Sequence, residues 1–170
     1  MVPENLKEIR VVQALDALPG AVVAGKLDRN ELTLEIEPAR IVEACRFLKE
    51  TCQFNRLSAV TCVDLYPLEP RFEVIYHLHA IPSAGPGLPP ARNERLRLKC
   101  RVSGNVPQID SVYEVWKAAD WYEREVFDLF GVTFRNHPNL KRILMPEDWE
   151  GYPLRKDYPV HGFKYSYPHD

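Results

Sequence analysis

A chain of 170 residues can bury a sizeable core in one domain, and 45% hydrophobic with 27% charged residues is ordinary for a folded protein. A net charge of -2 with a pI near 6.2 offers no general attraction to nucleic acid or anionic lipid. No apolar run approaches the roughly 18 residues a spanning helix needs, and "MVPENLKEIR" lacks the apolar core of a signal peptide. Membrane association is therefore expected only through another protein.

Residues 4–18, "ENLKEIRVVQALDAL", place Leu6, Ile9, Val12, Leu15 and Leu18 at helical spacing, with Pro19-Gly20 as the stop. "AVVAGKL" and "ELTLEIE" flank Asp28, Arg29 and Asn30, which reads as a hairpin. Its second strand turns Leu32, Leu34 and Ile36 to one face and Glu31, Thr33, Glu35 and Glu37 to the other. Pro38 opens a helix to about Glu50, with Ile41, Cys45 and Leu48 on the buried stripe. Three strands follow, at 57–66, 71–81 and 94–102, the last two separated by the Pro- and Gly-rich loop "PSAGPGLPPARN", read as a surface excursion.

Asp110 or Ser111 is expected to cap a short helix through Trp116, and Asp120 a second one that runs to Phe130 and stops at Gly131. After His137-Pro138 only the apolar patch "RILM" precedes an extended tail. This order predicts an α+β domain over 1–135, its mostly antiparallel sheet covered by helices on one face, and an extended C-terminal arm over 136–170.

Few residues suggest chemistry. Cys45, Cys52, Cys62 and Cys100 form no CxxC pair and sit in apolar segments, so they read as buried small hydrophobes in a reducing compartment. His77 and His79 project from one strand face, the spacing of two metal ligands, which leaves a freestanding metal-dependent enzyme as the alternative reading. Arg95, Arg97, Lys99 and Arg101 form a basic stripe that the acidic face of 31–37 can neutralise across strands. Phosphate-binding glycine loops and a GxSxG elbow are absent from the sequence.

On a wheel of about 100° per residue, Ala119, Tyr122, Val126, Leu129 and Phe130 form the core stripe of the 119–130 helix. Glu123 and Glu125 fall on opposite edges of that stripe, too far apart to share a substrate, with Arg124 and Asp128 on the far side. Asp120, Arg124 and Asp128 are spaced for i, i+4 ion pairs, or Arg124 and its flanking glutamates engage another subunit. The tail joins Pro146, Pro153, Pro159 and Pro168 to Trp149, Tyr152, Leu154, Tyr158, Phe163, Tyr165 and Tyr167. Aromatics and arginine on a stiff extended chain are the composition of an interface anchor; folding back over its own domain is the plainer alternative.

Glu-Arg-Glu at 123–125, then Asp128, Leu129-Phe130, His137, Lys141 and Ile143-Leu144, flanked by "WKAADWYERE" and "PEDWEGYPLRKDYP", resembles the signature of the 30 kDa subunit family of respiratory complex I, the bacterial NADH-quinone oxidoreductase. Asn139 and Tyr152 stand where many members carry an acid and a His. The resemblance implies a scaffold without an active site or cofactor of its own, FMN, iron–sulfur clusters and quinone being held by other subunits. It implies a place in the peripheral arm, on the cytoplasmic side of the cell membrane, beside the 49 kDa-type subunit and other peripheral-arm subunits. The whole assembly would couple electron transfer from NADH to quinone to proton translocation. On this reading Glu123, Arg124, Glu125, Asp128, His137, Arg142, Trp149, Leu154, Arg155, Asp157 and Tyr158 are the expected partner-interface residues.

Overall fold

The computed structural model describes residue 3, residues 6–81 and residues 93–162. The 82–92 part of the Pro/Gly loop and Phe163, Tyr165 and Tyr167 lie outside the described residues. A short α1 (Arg10–Leu15) leads into the hairpin β1 (Val22–Asp28) and β2 (Glu31–Ile36), whose turn uses positive φ at Arg29 and Asn30. Left-handed values at both central positions match the twist of paired strands. A 3-10 turn over Pro38–Arg40 precedes α2 (Ile41–Glu50), which buries Ile41, Ala44, Cys45 and Leu48.

β3 (Arg56–Asp64), β4 (Phe72–Ala80) and β5 (Glu94–Val102) complete a five-stranded sheet of order β1-β2-β5-β4-β3. Every pairing is antiparallel except β2 with β5. That exception follows from connectivity: α2, β3 and β4 lie between the two strands, so β5 returns to the middle of the sheet. Period-2 alternation puts Phe72, Val74, Tyr76, Leu78 and Ala80 of β4 with Leu96, Leu98, Cys100 and Val102 of β5 on one face, where they meet the buried residues of the helices. All four cysteines are buried.

The second half departs from expectation at two points. No helix forms between Asp110 and Trp116; β6 (Gln108–Asp110) pairs in parallel with β7 (Thr133–Arg135), and turns carry the chain to α3 (Ala119–Phe130). Both strands are three residues long and carry one buried residue each, Ile109 and Phe134, too short for periodicity to register. Asp120 falls inside the first turn of α3, and Ala118 takes the N-cap position. Gly131 ends the helix at φ 73° with its N–H on the Phe127 carbonyl, the left-handed cap for which glycine is suited.

Beyond β7 residues 136–162 form no helix or strand. They run across α3 and the end of the sheet where β3 meets β4.

Candidate functional site

The residues singled out on α3 meet this C-terminal segment within the chain itself. Asp128 is fully buried and accepts hydrogen bonds from the backbone N–H groups of Ile143, Leu144 and Met145 at 3.0, 2.7 and 2.8 Å. Arg142 donates to its other oxygen at 2.7 Å and to the carbonyls of Trp149 and Gly151. Burial alone would raise the Asp128 carboxyl, but these donors outweigh it and hold it low. Arg124, 8% exposed, donates to the carbonyls of Lys141 and Arg142 rather than bridging Asp120 and Asp128. The expected i, i+4 ladder gives way to a clamp on the chain's own backbone, because a guanidinium beside unpaired carbonyls gains more than one in a solvated ion pair.

A second anchor holds the far end of the segment. Asp64, buried at the end of β3, takes two hydrogen bonds from Arg71 at 2.8 and 2.7 Å and one from the Lys156 N–H at 2.8 Å. Arg71 also pairs with Asp157 at 2.6 Å. Against the upward pull of burial, Arg71 and the N–H groups of Lys156 and Tyr66 bring Asp64 down to about 2. Between the two anchors Arg155 donates to the Phe130 carbonyl at 2.6 Å, and the Leu154 N–H donates to that of Leu129 at 3.1 Å. Tyr152 and Arg155 lie against Gly131 so closely that a Cβ there would overlap both.

Glu123 does a third job. Fully buried, it accepts from the Ser111 hydroxyl at 2.5 Å and the Val112 N–H at 2.8 Å, tying α3 to the turn after β6. Burial pushes its carboxyl up to about 7, the hydrogen bonds oppose that rise, and the Asp120 charge adds to it. The His137 side chain is enclosed beside this pair. Its Nδ1 accepts from the Asn139 N–H at 3.1 Å, which assigns the ring proton to Nε2, 3.2 Å from the Asp120 carbonyl. Burial lowers the His137 pKa, so the ring is neutral near pH 7.

The remaining expected interface residues divide by exposure. Glu125 is exposed and Leu154 is 51% exposed, while Trp149 and Tyr158 are half-buried, the Tyr158 hydroxyl donating to the Glu150 carbonyl. Sequence reasoning passed over Asp64 and Arg71, neither of which carries a local signal, and took Ser111 for a possible helix cap where it bonds Glu123 instead. It also passed over Trp121, 60% exposed under the Arg124 guanidinium, and Leu144, 57% exposed beside Asp128. Trp121 had a signal: on the wheel it falls on the outward arc with Arg124 and Asp128.

His77 and His79 do lie side by side on the open face of the sheet. Among the described residues no three His, Cys, Asp or Glu side chains converge as metal ligands would. The basic stripe of β5 is charge-paired in part as expected, Arg97 with Glu31 at 2.9 Å and Arg101 with Glu35 at 3.6 Å, while Lys99 pairs instead with Glu73 of β4 at 2.6 Å and Arg95 has no ion pair among the described residues.

Residues 34–164 match the family described as respiratory-chain NADH dehydrogenase, 30 Kd subunit. The chain belongs to this family. It is 44% identical over 153 residues to a NADH-quinone oxidoreductase subunit of Geobacter sulfurreducens, with 89% of each chain covered. Among solved structures it is similar to the trypsin-resistant fragment (1-134) of Nqo5, with TM-score 0.60, 28% identity, and 68% of this chain and 88% of that one covered. It is also similar to a chain of the membrane-bound sulfane sulfur reductase, an archaeal respiratory membrane complex, with TM-score 0.69, 29% identity, and coverage of 88% and 84%. The chain is thus a subunit of the complex I type, and no helix among its described residues is long and apolar enough to cross a membrane.

Proposed function

We propose that the chain is a scaffold subunit with no redox group or active site of its own, seated in the peripheral arm of a proton-translocating NADH:quinone oxidoreductase on the cytoplasmic side. It docks the 49 kDa-type quinone-site subunit through α3 and the segment after it, while FMN, iron–sulfur clusters and quinone belong to other subunits. The observation that carries this reading is the clamp at Asp128. It fixes an irregular backbone so that Leu144 stands outward, as do Trp121 on α3 and Leu154 further along the segment. Exposed aromatic and aliphatic groups on a rigid support are what a partner's pocket takes, and ordering them beforehand reduces the entropy lost on binding.

Five of the expected interface residues then act indirectly. Arg124, Asp128, Arg142, Arg155 and Asp157 hold the docking surface in shape, and Glu125, Leu154 and the outward faces of Trp149 and Tyr158 meet the partner. We also propose that residues 1–135 fold by themselves. The related Nqo5 fragment resists trypsin, and among the described residues every apolar side chain of this chain's buried core lies at or before Phe134.

The test replaces Trp121 and Leu144 by alanine together. The isolated chain is expected to keep its melting temperature, since both side chains are exposed, while recovery of the 49 kDa-type partner with it from native membranes drops at least about tenfold. Normal recovery of the complex from that variant would overturn the assignment.

A further inference from the structure

The open face of the sheet arranges its charges in rows across the strands. Toward one end each cation has a carboxylate: Arg101 reaches Glu35 and Glu73, Lys99 reaches Glu73, and Arg97 reaches Glu31. The row at the other end is different. Arg56 of β3 stands opposite His79 of β4, and His79 opposite Arg95 of β5. The partner of His79 there is the neutral Asn93, at 2.8 Å. Among the described residues neither Arg56 nor Arg95 has an ion pair or side-chain hydrogen bond, and the nearby acids are engaged, Glu31 with Arg97 and Glu94 with Arg10.

Arg56 and Arg95, on the strands to either side of His79, are thus cations without a carboxylate, whereas elsewhere on this face each cation has one. The connection over 82–92, "PSAGPGLPPAR", brings no acidic side chain of its own. Arg56, His77, His79, Arg95 and Arg97 instead line a concavity of about 480 Å³ together with Ser58, Ala59 and the already paired Glu31.

From this we infer that the cleft is a second docking site, taking an acidic extended segment of a neighbouring subunit whose Asp or Glu side chains pair with Arg56 and Arg95. The backbones that carry Arg56 and Arg95 are two strand spacings apart, about 10 Å, a separation that an extended chain laid across the sheet can span. Nucleic acid is a poorer fit, because no Phe, Tyr or Trp lines the cleft as a stacking platform and the chain's net charge is -2. A membrane surface is a poorer fit as well, since three arginines, one already paired, fall short of a lipid-binding basic cluster. The cleft lies at the other end of the strands from Asp64 and the anchor of the C-terminal segment, although Arg56 also lines a pocket with Ala118 and Tyr122 at the start of α3. The inference rests on membership of a multi-subunit complex and is independent of the α3 surface.

Two experiments test it. A photo-cross-linking amino acid placed at Ser58 in the complex in native membranes is expected to capture a peptide of another subunit rich in Asp or Glu. Capture of lipid, or only of this chain, overturns the proposal. In solution the full chain is titrated with labelled hexaglutamate at low salt. Arg56→Gln with Arg95→Gln is expected to weaken binding about tenfold without lowering the melting temperature. The charge-matched control, Arg46→Gln with Lys26→Gln, and the variant Trp121→Ala with Leu144→Ala are expected to bind as wild type does. Equal loss in the charge-matched control shows a diffuse charge effect and sinks the site. Binding of phosphatidylserine vesicles that depends on Arg56 and Arg95, with none to hexaglutamate, assigns the cleft to lipid instead.

Discussion

At Glu123, burial and hydrogen bonding pull one carboxyl in opposite directions, and burial prevails. Its folded value of about 7 lies above the ordinary 4.5, so the native state keeps a proton that the unfolded chain has released. The contribution is whole below about pH 4.5, declines as the pH rises, and is gone above about 7. Glu123→Gln keeps an acceptor for Val112 and cannot ionise. Urea denaturation from pH 4.5 to 8 is expected to show the variant gaining on wild type through that window, and a constant difference would contradict the assignment. Asp64 has the reverse sign: held at about 2 against an ordinary 3.8, it contributes above that ordinary value and fails as the pH drops toward 2. Acid unfolding should therefore begin at the Asp64–Arg71 anchor.

Among the elements, α3 shows where sequence reading succeeds and where it stops. Its length, its Gly131 stop and the buried Ala119 and Val126 followed from periodicity and from glycine's freedom at positive φ. The burial of Glu123, Arg124 and Asp128 did not, because a wheel says which side faces the sheet and nothing of what covers the other side. Here residues 136–162 cover it, and their lack of regular structure leaves no pattern to read. The short β6–β7 pair escaped for the same reason, whereas the five long strands and the charge pairing of β2 with β5 were plain in the alternation of their residues.

Gly131→Ala probes the join between helix and segment. The added methyl meets Tyr152 and Arg155, and the left-handed backbone disfavours it further. A loss of about 2 kcal/mol is expected in denaturant unfolding; a neutral result would mean that the segment does not lie against the helix end. Truncation after Met145 keeps the N–H donors for Asp128 but removes Arg155, Lys156 and Asp157. The shortened chain is expected to unfold cooperatively with Tm lowered roughly 6 °C, about 2 kcal/mol of lost hydrogen bonding. Loss of the cooperative transition would place the segment within the core.

In the whole molecule the same carboxylates link fold to assembly. Asp128→Asn leaves Arg142 without its ion and weakens the hold on Ile143, Leu144 and Met145, at a cost of about 3 kcal/mol. Recovery of the complex is expected to fall further than the folded fraction of the isolated chain, because the surface bearing Leu144 loosens before the sheet does. Parallel measurement of complex yield and of isolated-chain stability checks this, and losses in strict proportion would reduce Asp128 to a purely structural role.

The Arg71 fork joins Asp64, close by in sequence, to Asp157, an acid 86 residues further along the chain. Synthesis proceeds from the N-terminus, and domains fold as their chain emerges. A nascent chain can therefore complete the five-stranded sheet while Asp64 and Arg71 still await their last ligands. Until Lys156 and Asp157 arrive, Leu154 is held only through its own N–H on the Leu129 carbonyl, and the docking surface proposed above would be unfinished. Assembly through that surface would thereby be timed: a half-made copy could fold, but would have nothing complete to offer a neighbouring subunit.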